Sequence, residues 1–447
     1  MKEKQRIQLS DHFTYGRLFK FVYPSILMMV FVSIYGVVDG IFVSNFVGKT
    51  PFAALNLIMP VLMIIGSLGF MLSTGGSAVV AKTLGEGDRD KAQKYFSMLV
   101  YVTFAGGVFF MIVGQIFLRS ISELLGAEGE MLEYCIRYGR IILCSIPFFM
   151  LQFLFQELFI TAEKPNLGFY LTLAAGCANI VLDALFIVVF NWGIEGAAAA
   201  TATSEFIGGI VPVIYFSRKN NSLLRLRRTR IYWRVLGKAS VNGCYELMSH
   251  ISSSIVTVLF NMQLLRLTGE DGVAAYGVIM YICFIFVAVF LGYSIGSAPV
   301  ISFNYGSGNN DEMKNIFKKS IKIMGIFGAA MVVVCFFFAE PLSKIFVEYD
   351  VELLKLTVGG LRIYAFSFLM AGLNIFGSAL FTALNNGVIS AVISFLRTLV
   401  FECGSVLLLP VFFGITGVWC SIIVAEFTAL TVTSFFIIKN RHRYKYM

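Results

Sequence analysis

Long apolar stretches follow one another along almost the whole chain, with short polar connections between them. Twelve stretches contain more than twenty residues, and about 20 helical residues span the hydrocarbon core of a bilayer. They lie at 18–45, 52–80, 96–118, 136–160, 168–190, 194–216, 239–265, 274–300, 318–340, 357–381, 388–410 and 415–438. The short alternating segments typical of a β-barrel do not occur. The pattern predicts an all-α polytopic membrane protein with twelve transmembrane helices.

Charged residues are scarce and unevenly distributed. Only 14% of the residues are charged and 58% are hydrophobic, whereas soluble domains contain about 25% charged residues. If both termini are cytoplasmic, the cytoplasmic segments hold 26 of the 35 Lys and Arg residues, in agreement with the positive-inside rule. The basic run 225–234 is therefore interpreted as a topology determinant that touches anionic membrane lipids, and no nucleic-acid partner is expected.

Motifs of enzymes and metal sites are missing from the sequence. The chain has three histidines and eight cysteines, and it contains no H-E-x-x-H, P-loop or C-x-x-C pattern. We therefore expect a protein that is not an enzyme and that has no catalytic residues and no cofactor. Because no ATP-binding motif is present, an ion gradient is the natural energy source.

The two halves of the chain match at a constant shift of 221 residues. "GKTPFAALNLIM" at 48–59 aligns with "GEDGVAAYGVIM" at 269–280, and "GIEG" at 193–196 aligns with "GITG" at 414–417. Each half has six predicted helices, so both halves insert in the same orientation, related by a pseudo-twofold axis along the membrane normal.

This repeat predicts the domain organisation. An N-terminal six-helix lobe covers 1–216, a basic cytoplasmic linker covers 217–238, and a C-terminal six-helix lobe covers 239–447. Two such bundles leave a central cleft, and rocking one against the other gives alternating access. An inert duplicated bundle is the alternative.

Polar residues meet at one predicted depth of the N-terminal lobe. Asp39, within "SIYGVVDGIFVSNFVG", Asp183 and Thr201 each lie about 10 Å below the outer membrane edge, and Tyr35 and Asn179 lie one turn deeper. Intramembrane acids point to function. Their oxygens suit Na⁺, with Asp39, Asn179, Asp183 and Thr201 as ligands, and a close carboxyl pair also suits a proton. Hydrogen bonding between helices is the alternative.

The repeat provides an internal comparison for this polar layer. A purely architectural layer is expected in both halves, because both halves have the same architecture. At the shift of 221 the two aspartates, the asparagine and the threonine are replaced by apolar residues or glycine, which favours a function confined to one lobe. The replacements are Phe260, Gly404, Val400 and Ile422.

Four polar residues of the C-terminal half are further candidates for contact with substrate or coupling ion: Glu246, His250, Arg397 and Glu402. Arg397 and Glu402 alternatively form a structural ion pair.

Other acidic residues are expected to have different roles. Glu205 and Glu426 are repeat-equivalent, which favours a structural or gating role. Glu157, Glu163 and Lys164, at the inner end of helix 4, are expected to face solvent.

The chain resembles the multidrug and toxic compound extrusion (MATE) family, and within it the bacterial DinF-like and MepA-like branch. The resemblance rests on "VDGIFVSNFVG", "PFAALN", "GEGDRDKAQ", "NIVLDALFI" and "GIEGAAAAT" and covers nearly the full length. It implies a multidrug efflux antiporter of the bacterial plasma membrane, which exports cationic or amphiphilic compounds in exchange for Na⁺ or H⁺. A monomer is expected.

The resemblance also implies roles for individual residues. It places the coupling site at Asp39, Tyr35, Asn179, Asp183 and Thr201, all of them in the N-terminal lobe. It marks Pro24 as the bend of helix 1 and Gln156 as a further polar position in helix 4. Helix 10 lacks the acid found in the NorM-like branch, so no C-terminal cation site is predicted. A lipid-linked saccharide flippase of the same superfamily, an ion-gated receptor and a membrane enzyme remain alternatives.

Overall fold

The computed structural model describes residues 7–348 and 350–447, which form fourteen α-helices. The N-terminal half contains α1 Tyr15–Phe46, α2 Lys49–Gly85, α3 Arg89–Leu124, α4 Gly129–Thr161, α5 Pro165–Asp183 with a π-helical extension Ala184–Val189, and α6 Gly193–Ser217. The C-terminal half contains α7 Trp233–Thr268, α8 Glu270–Ser307, α9 Asn310–Phe337, α10 Ala339–Val347, α11 Val351–Ala365, α12 Phe368–Ala383, α13 Gly387–Phe395 with a π-helical extension Leu396–Glu402, and α14 Cys403–Tyr444. These described residues contain no strand.

The helices provide twelve membrane crossings. Ten helical stretches are long and apolar enough to span a bilayer, and α11 with α12 forms an eleventh, bent by 52°. The stretch Gly387–Tyr444 has 58 residues, or roughly 87 Å of helix against a hydrocarbon thickness of about 30 Å. Its helix is interrupted at Gly414, where φ is 53° and ψ is −135°, so this stretch supplies two crossings. The predicted twelve-helix fold is confirmed.

The prediction of one continuous helix at 357–381 is wrong, because this crossing consists of two helices. The chain breaks between α11 and α12, where the amides of Phe366 and Ser367 donate to carbonyls only three residues earlier. This tighter hydrogen bonding ends the α-helix. No proline or glycine marks the break, so the sequence pattern contains no signal for it.

The two halves pack backbone to backbone at one end of the bundle, called the terminal face here because α1 begins and α14 ends there. A Cβ atom on Gly75 of α2 would lie 1.9 Å from the carbonyl oxygen of Ala239 in α7. A Cβ atom on Gly243 of α7 would lie 1.9 Å from the carbonyl oxygen of Met71. Only glycine permits this approach. We call this α2–α7 contact the lobe seam.

A second glycine pair lies on the pseudo-twofold axis. A Cβ atom on Gly85 would lie 2.0 Å from the carbonyl oxygen of Phe303, and a Cβ atom on Gly306 would lie 2.1 Å from that of Lys82. Both glycines and both carbonyls are related by the shift of 221 residues. The axis predicted from the repeat therefore passes between α2 and α8, and the terminal face is closed.

A strap of residues 7–14 precedes α1 and touches both halves. The amide of Phe13 donates to Glu312 Oε1 of α9 at 2.9 Å, and His12 Nδ1 lies 2.6 Å from Glu312 Oε2. The amide of Leu9 donates to Glu163 Oε1 at 2.9 Å, between α4 and α5. Glu163 is buried, so the expectation that it faces solvent is wrong. The strap therefore fastens the halves together.

The connection between the halves occupies 218–232, within the predicted linker 217–238. It lies on α3, where the guanidinium of Arg89 donates to the carbonyl of Ser222 at 2.9 Å and Ser97 Oγ accepts from the amide of Arg227 at 2.9 Å. Arg227 also pairs with Asp90 at 3.1 Å. Part of the positive charge of this basic segment is therefore used in holding it against the N-terminal half. The domain boundaries themselves stay a prediction.

We expect Gly75→Val to open the lobe seam, because a side chain there meets backbone that cannot move away. Overpacking costs about 1–3 kcal/mol, so the open fraction should rise about 5- to 150-fold. Hydrogen exchange of α7 peptides spanning 239–250, measured in lipid nanodiscs, reports this opening. Gly106→Val on α3 is the matched control, since a Cβ atom at Gly106 meets nothing within 4 Å. Equal protection of these peptides from exchange in both variants would show that Gly75 does not hold α2 against α7.

We expect Glu312→Ala to release the strap, because the buried amide of Phe13 loses its acceptor. An unsatisfied buried group costs about 1–3 kcal/mol, which predicts faster hydrogen exchange in a peptide covering 7–14. Glu352→Ala is the control, because Glu352 is exposed and bonds through its side chain only to Lys355 among the described residues. Unchanged strap protection in Glu312→Ala would show that Glu312 does not hold the strap.

Candidate functional site

A close approach between α1 and α5 creates the polar site of the N-terminal half. A Cβ atom on Gly176 of α5 would lie 2.5 Å from the ring of Phe31 and 3.0 Å from the ring of Tyr35. Because residue 176 has no side chain, these α1 rings lie directly on the α5 backbone. Asp39, one turn beyond Tyr35, then faces Asp183, seven residues beyond Gly176.

Asp39 and Asp183 form the centre of this site. Their carboxyl groups lie close to each other. Asp183 is 0% exposed. Within the described part of the chain, no donor group bonds to either oxygen of Asp183 or to Asp39 Oδ1. Two buried ionised carboxylates at close range repel each other, so the pair favours a bound proton or cation.

Further polar groups surround the aspartate pair. Tyr35 lies close enough to interact electrostatically with Asp39 and with Glu205 of α6. Glu205 is buried and lies close to Ser145 in α4. The amide nitrogen of Asn179 is buried and has no hydrogen-bond partner among the described residues. Three acids are therefore grouped inside one lobe.

Sequence reasoning missed part of this group. Glu205 was expected to be structural or gating, although it lies one turn from Thr201 on the same helix face, as Asn179 does from Asp183. That spacing could have identified it. Tyr138, buried in α4, also lies within electrostatic range of both aspartates. An isolated tyrosine in an apolar helix gives no sequence signal.

Thr201 and Gln156 do not bond to the aspartate pair. In the described residues the hydroxyl of Thr201 makes no hydrogen bond, and only its carbonyl is used, by Ser204 at 2.9 Å. Gln156 donates to Thr172 Oγ1 at 3.4 Å, beside a cavity of about 10 Å³ that is also lined by Gln152. That volume accommodates about one water molecule.

The available donors fit a monovalent cation or a proton. Both aspartates carry buried oxygens without a hydrogen-bond partner among the described residues, and the unpartnered amide of Asn179 lies one helical turn from Asp183. The Asn179 amide supplies an oxygen ligand if its oxygen and nitrogen exchange positions. Among the described residues, no group of three acidic, histidine or cysteine side chains could hold a metal ion together. Oxygen-only donors with little charge favour Na⁺ or H⁺ over a transition metal.

The C-terminal half places a compensated ion pair in its interior. Arg397 Nη2 and Nε lie 2.5 Å and 2.9 Å from Glu426 Oε1, and Asn374 Nδ2 donates to Glu426 Oε2 at 2.7 Å. The partner of Arg397 is therefore Glu426, so the alternative of a structural Arg397–Glu402 pair is wrong. Because its charge is satisfied, Glu426 differs from its repeat equivalent Glu205.

Glu402 remains beside this pair as an unneutralised acid. Residues five apart point about 140° apart in an α-helix, but the wider π-helical turn at 396–402 brings Arg397 and Glu402 to the same side. Glu402 is half-buried and makes no hydrogen bond or ion pair among the described residues. Tyr276 and Tyr364 lie within electrostatic range of it. Two tyrosines and an acid thus share this part of the lobe.

The remaining candidates, Glu246 and His250, lie on α7 near the lobe seam. The ring of His250 lies 5.0 Å from the ring of Phe70 on α2, and Glu246 lies within electrostatic range of Glu157 on α4. Glu157 is only 8% exposed. The expectation that Glu157 faces solvent is therefore wrong, because α2 covers the end of α4.

The repeat equivalent of Asp39 has an apolar role. Phe260 is buried and stacks on Tyr276, with ring centroids 4.8 Å apart and an interplanar angle of 4°. The other half therefore fills the same position with aromatic packing. The architecture of the bundle does not require a carboxyl group there.

Comparison with known proteins identifies the family. The family model described as MatE matches residues 24–185 and 247–404. A relative from Staphylococcus haemolyticus, described as multidrug export protein MepA, is 24% identical over 452 residues, which cover 99% of this chain and 97% of the relative. A protein of the same description from Staphylococcus saprophyticus is 24% identical over 95% of this chain and 94% of its own length.

Solved structures share the complete fold. An outward-facing multidrug resistance MATE family transporter of the MOP superfamily matches with a TM-score of 0.93 at 23% identity, covering 100% of both chains. A MATE crystal structure in complex with MaL6 also gives a TM-score of 0.93 at 23% identity, covering 99% of this chain and 100% of the other. Because the family model covers most of both halves and the fold agrees over the full length, this chain belongs to the MATE family of multi-pass membrane transporters.

Proposed function

We propose that this protein is a secondary antiporter that exports cationic or amphiphilic organic compounds in exchange for Na⁺ or H⁺. The contact between Asp39 and Asp183 is the observation that carries the proposal, because a buried carboxyl pair without a cationic side chain is built to bind a cation or a proton. Membership of a transporter family and the MepA relatives support the direction of export. A role as an enzyme has no support from this family of transporters.

The proposed orientation places the terminal face in the cytoplasm of a bacterial cell, which the distribution of Lys and Arg supports. The closed lobe seam then separates the cleft from the cytoplasm and leaves it open to the outside. This arrangement is the outward-facing state of an alternating-access cycle. We propose that the protein works as a monomer, surrounded by membrane lipids.

Helix α1 links the coupling site to the motion of the lobes. Below Pro24, Val22 of α1 packs against Gly296 of α8 in the C-terminal half. Above Pro24, Phe31 of α1 packs against Gly176 of α5 in the N-terminal half. Proline lacks an amide hydrogen and weakens the helix at this position. The two parts of α1 can therefore move with different lobes.

This geometry supports a proposed order of events for binding of the coupling ion and release of substrate. A cation or proton entering from outside neutralises Asp39 and Asp183, which removes the attraction for a cationic compound in the cleft. With Na⁺, the carboxylates and Asn179 are the proposed ligands, and Thr201 joins only if α6 approaches. Repacking of α1 at Pro24 then accompanies the opening of the terminal face, where the ion leaves.

We expect Asp39→Asn and Asp183→Asn each to reduce ion-driven export at least about tenfold, which corresponds to about 1.4 kcal/mol. Each substitution keeps the shape of the side chain and removes the charge. The measurement is efflux of a fluorescent organic cation from proteoliposomes, under an imposed Na⁺ gradient and separately under a pH gradient. Asp271→Asn, an exposed acid at the start of α8, is the matched control. Undiminished efflux in both site variants would remove the carboxyl pair from the mechanism.

The flippase alternative has weaker support. Recognition of an anionic lipid-linked saccharide would require free cationic groups in the cleft, and Arg397 is neutralised by Glu426. The same proteoliposomes, loaded with a fluorescent lipid-linked saccharide, test this directly. Movement of the saccharide without movement of an organic cation would replace the antiporter proposal.

We propose that Glu402 attracts the positive charge of the substrate. We expect Glu402→Gln to raise the KM for a permanently charged cation about tenfold, the effect of about 1.4 kcal/mol of charge attraction. A neutral substrate should be transported with unchanged KM, because it has no charge to attract. Glu270→Gln, an exposed acid of the same half, is the control. Equal changes for charged and neutral substrates would show that the substitution acts through packing.

A further inference from the structure

We propose that Glu157 is a second proton-binding site, located at the lobe seam, which takes up a proton when the terminal face closes and releases it when the face opens. The proposal rests on the alternating access of the proposed function, but it does not depend on which compound is exported. It concerns a group outside the Asp39–Asp183 site, because Glu157 lies near the end of α4 that is next to the lobe seam.

Two hydroxyl groups of α2 hold the carboxyl group of Glu157. Thr74 Oγ1 donates to Glu157 Oε1 at 2.7 Å, and Ser77 Oγ donates to Glu157 Oε2 at 2.7 Å. Glu157 forms no ion pair among the described residues. A buried carboxyl group with two neutral partners and no cation exists either as a costly charge or with a bound proton.

The groups that face Glu157 from α7 do not supply a positive charge. Glu246 of the opposite half lies within electrostatic range, and Tyr245 lies close to both Glu246 and Thr74. His250, one turn further along α7, lies against Phe70. Two carboxyl groups from different lobes therefore approach each other across the seam. A proton on Glu157 removes their repulsion.

The hydrogen bonds accommodate Glu157 with and without its proton. Ser77 Oγ lies 2.7 Å from Glu157 Oε2 and also 3.1 Å from the carbonyl oxygen of Thr74. When Glu157 is ionised, Ser77 donates to it. When Glu157 is protonated, its O–H donates to Ser77 Oγ, and the Ser77 hydroxyl turns to the Thr74 carbonyl. Glu157 can therefore bind and release a proton without repacking of the seam.

Opening of the terminal face changes the environment of both carboxyl groups. Thr74 is adjacent to Gly75, whose backbone rests on α7. Separation of α2 from α7 moves Glu246 away from Glu157 and admits water between them. Ionisation is then much less costly, so the open state releases the proton to the cytoplasm. By linkage, low pH favours the closed seam and rising pH favours the open seam.

The other half shows that a carboxyl group is not needed for packing at this position. Residues 157, 74 and 77 correspond to Ser378, Ile295 and Ala298 at the shift of 221. Ser378 is buried among neutral hydroxyl groups. Its Oγ lies 2.8 Å from Ser390 Oγ and 2.9 Å from Ser394 Oγ. The carboxyl group is therefore a feature of the N-terminal half alone, as the aspartate pair is.

Hydrogen exchange across a pH range tests the proposal without any transport assay. The full-length protein is studied in lipid nanodiscs from pH 5.5 to 8.5, and the exchange of α7 peptides 239–250 is corrected for the intrinsic effect of pH. We expect exchange in the wild-type protein to rise with pH, by up to about tenfold per unit, the limit for one linked proton. Glu157→Gln, which stays neutral, should remain protected at every pH.

Two further variants make the result decisive. Glu133→Gln, an exposed acid at the other end of α4, should follow the wild type. Glu246→Gln removes the facing charge but leaves Glu157 buried, so it should move the rise in exchange to higher pH, which tests the proposal independently if Glu157→Gln fails to fold. If Glu157→Gln and Glu246→Gln rise with pH as the wild type does, Glu157 carries no linked proton. Failure of cation export with this pattern intact would overturn the proposed function instead.

Discussion

The contact between the carboxyl groups of Asp39 and Asp183 is the interaction on which the functional geometry depends. A single ionised acid at the centre of a membrane helix costs about 2.5–3.5 kcal/mol on insertion, and here two acids face each other without a cationic side chain. The helices bring them together through an α1–α5 approach that Gly176 permits. Since folding itself places the pair in contact, the site is completed by a ligand that the solution supplies. The free energy of binding this ligand can then drive the movement of α1.

The C-terminal half handles buried charge differently. Position 397, the repeat equivalent of Gly176, is an arginine, and its guanidinium neutralises Glu426. Removing one partner of such a buried pair leaves an uncompensated charge, so this pair is a fixed part of the structure. The N-terminal half keeps Asp39, Asp183, Glu205 and Glu157 without such a partner among the described residues. One repeated architecture therefore contains a half whose charge is fixed and a half whose charge changes with bound ions.

The sequence predicted the twelve crossings and the aspartate pair because both follow from regular geometry. A constant rise per residue gives each side chain a depth, and depth was sufficient to bring Asp39 and Asp183 together. Depth says nothing about rotation around the helix axis, so Thr201 was expected in a site to which it does not bond. The break at Phe366 and Ser367 depends on local hydrogen bonding without a proline. Glu157 was misplaced because distance from a helix end does not reveal that another helix covers it.

The positions of the ionisable groups suggest how two sites can act on one motion. The lobe seam joins α2 to α7, and Glu157 is hydrogen-bonded to α2 beside that contact. The aspartate pair joins α1 to α5, and α1 continues past Pro24 onto α8. Both α7 and α8 belong to the C-terminal half, so each site biases a different connection between the halves. A proton at the seam favours closure at the terminal face, whereas an ion at the aspartates acts on the helix that must repack when this face opens. With these opposite preferences, the terminal face opens only when the coupling ion is bound and the seam proton can leave. The halves then do not change state without a bound ion, so the ion gradient is not dissipated by leak.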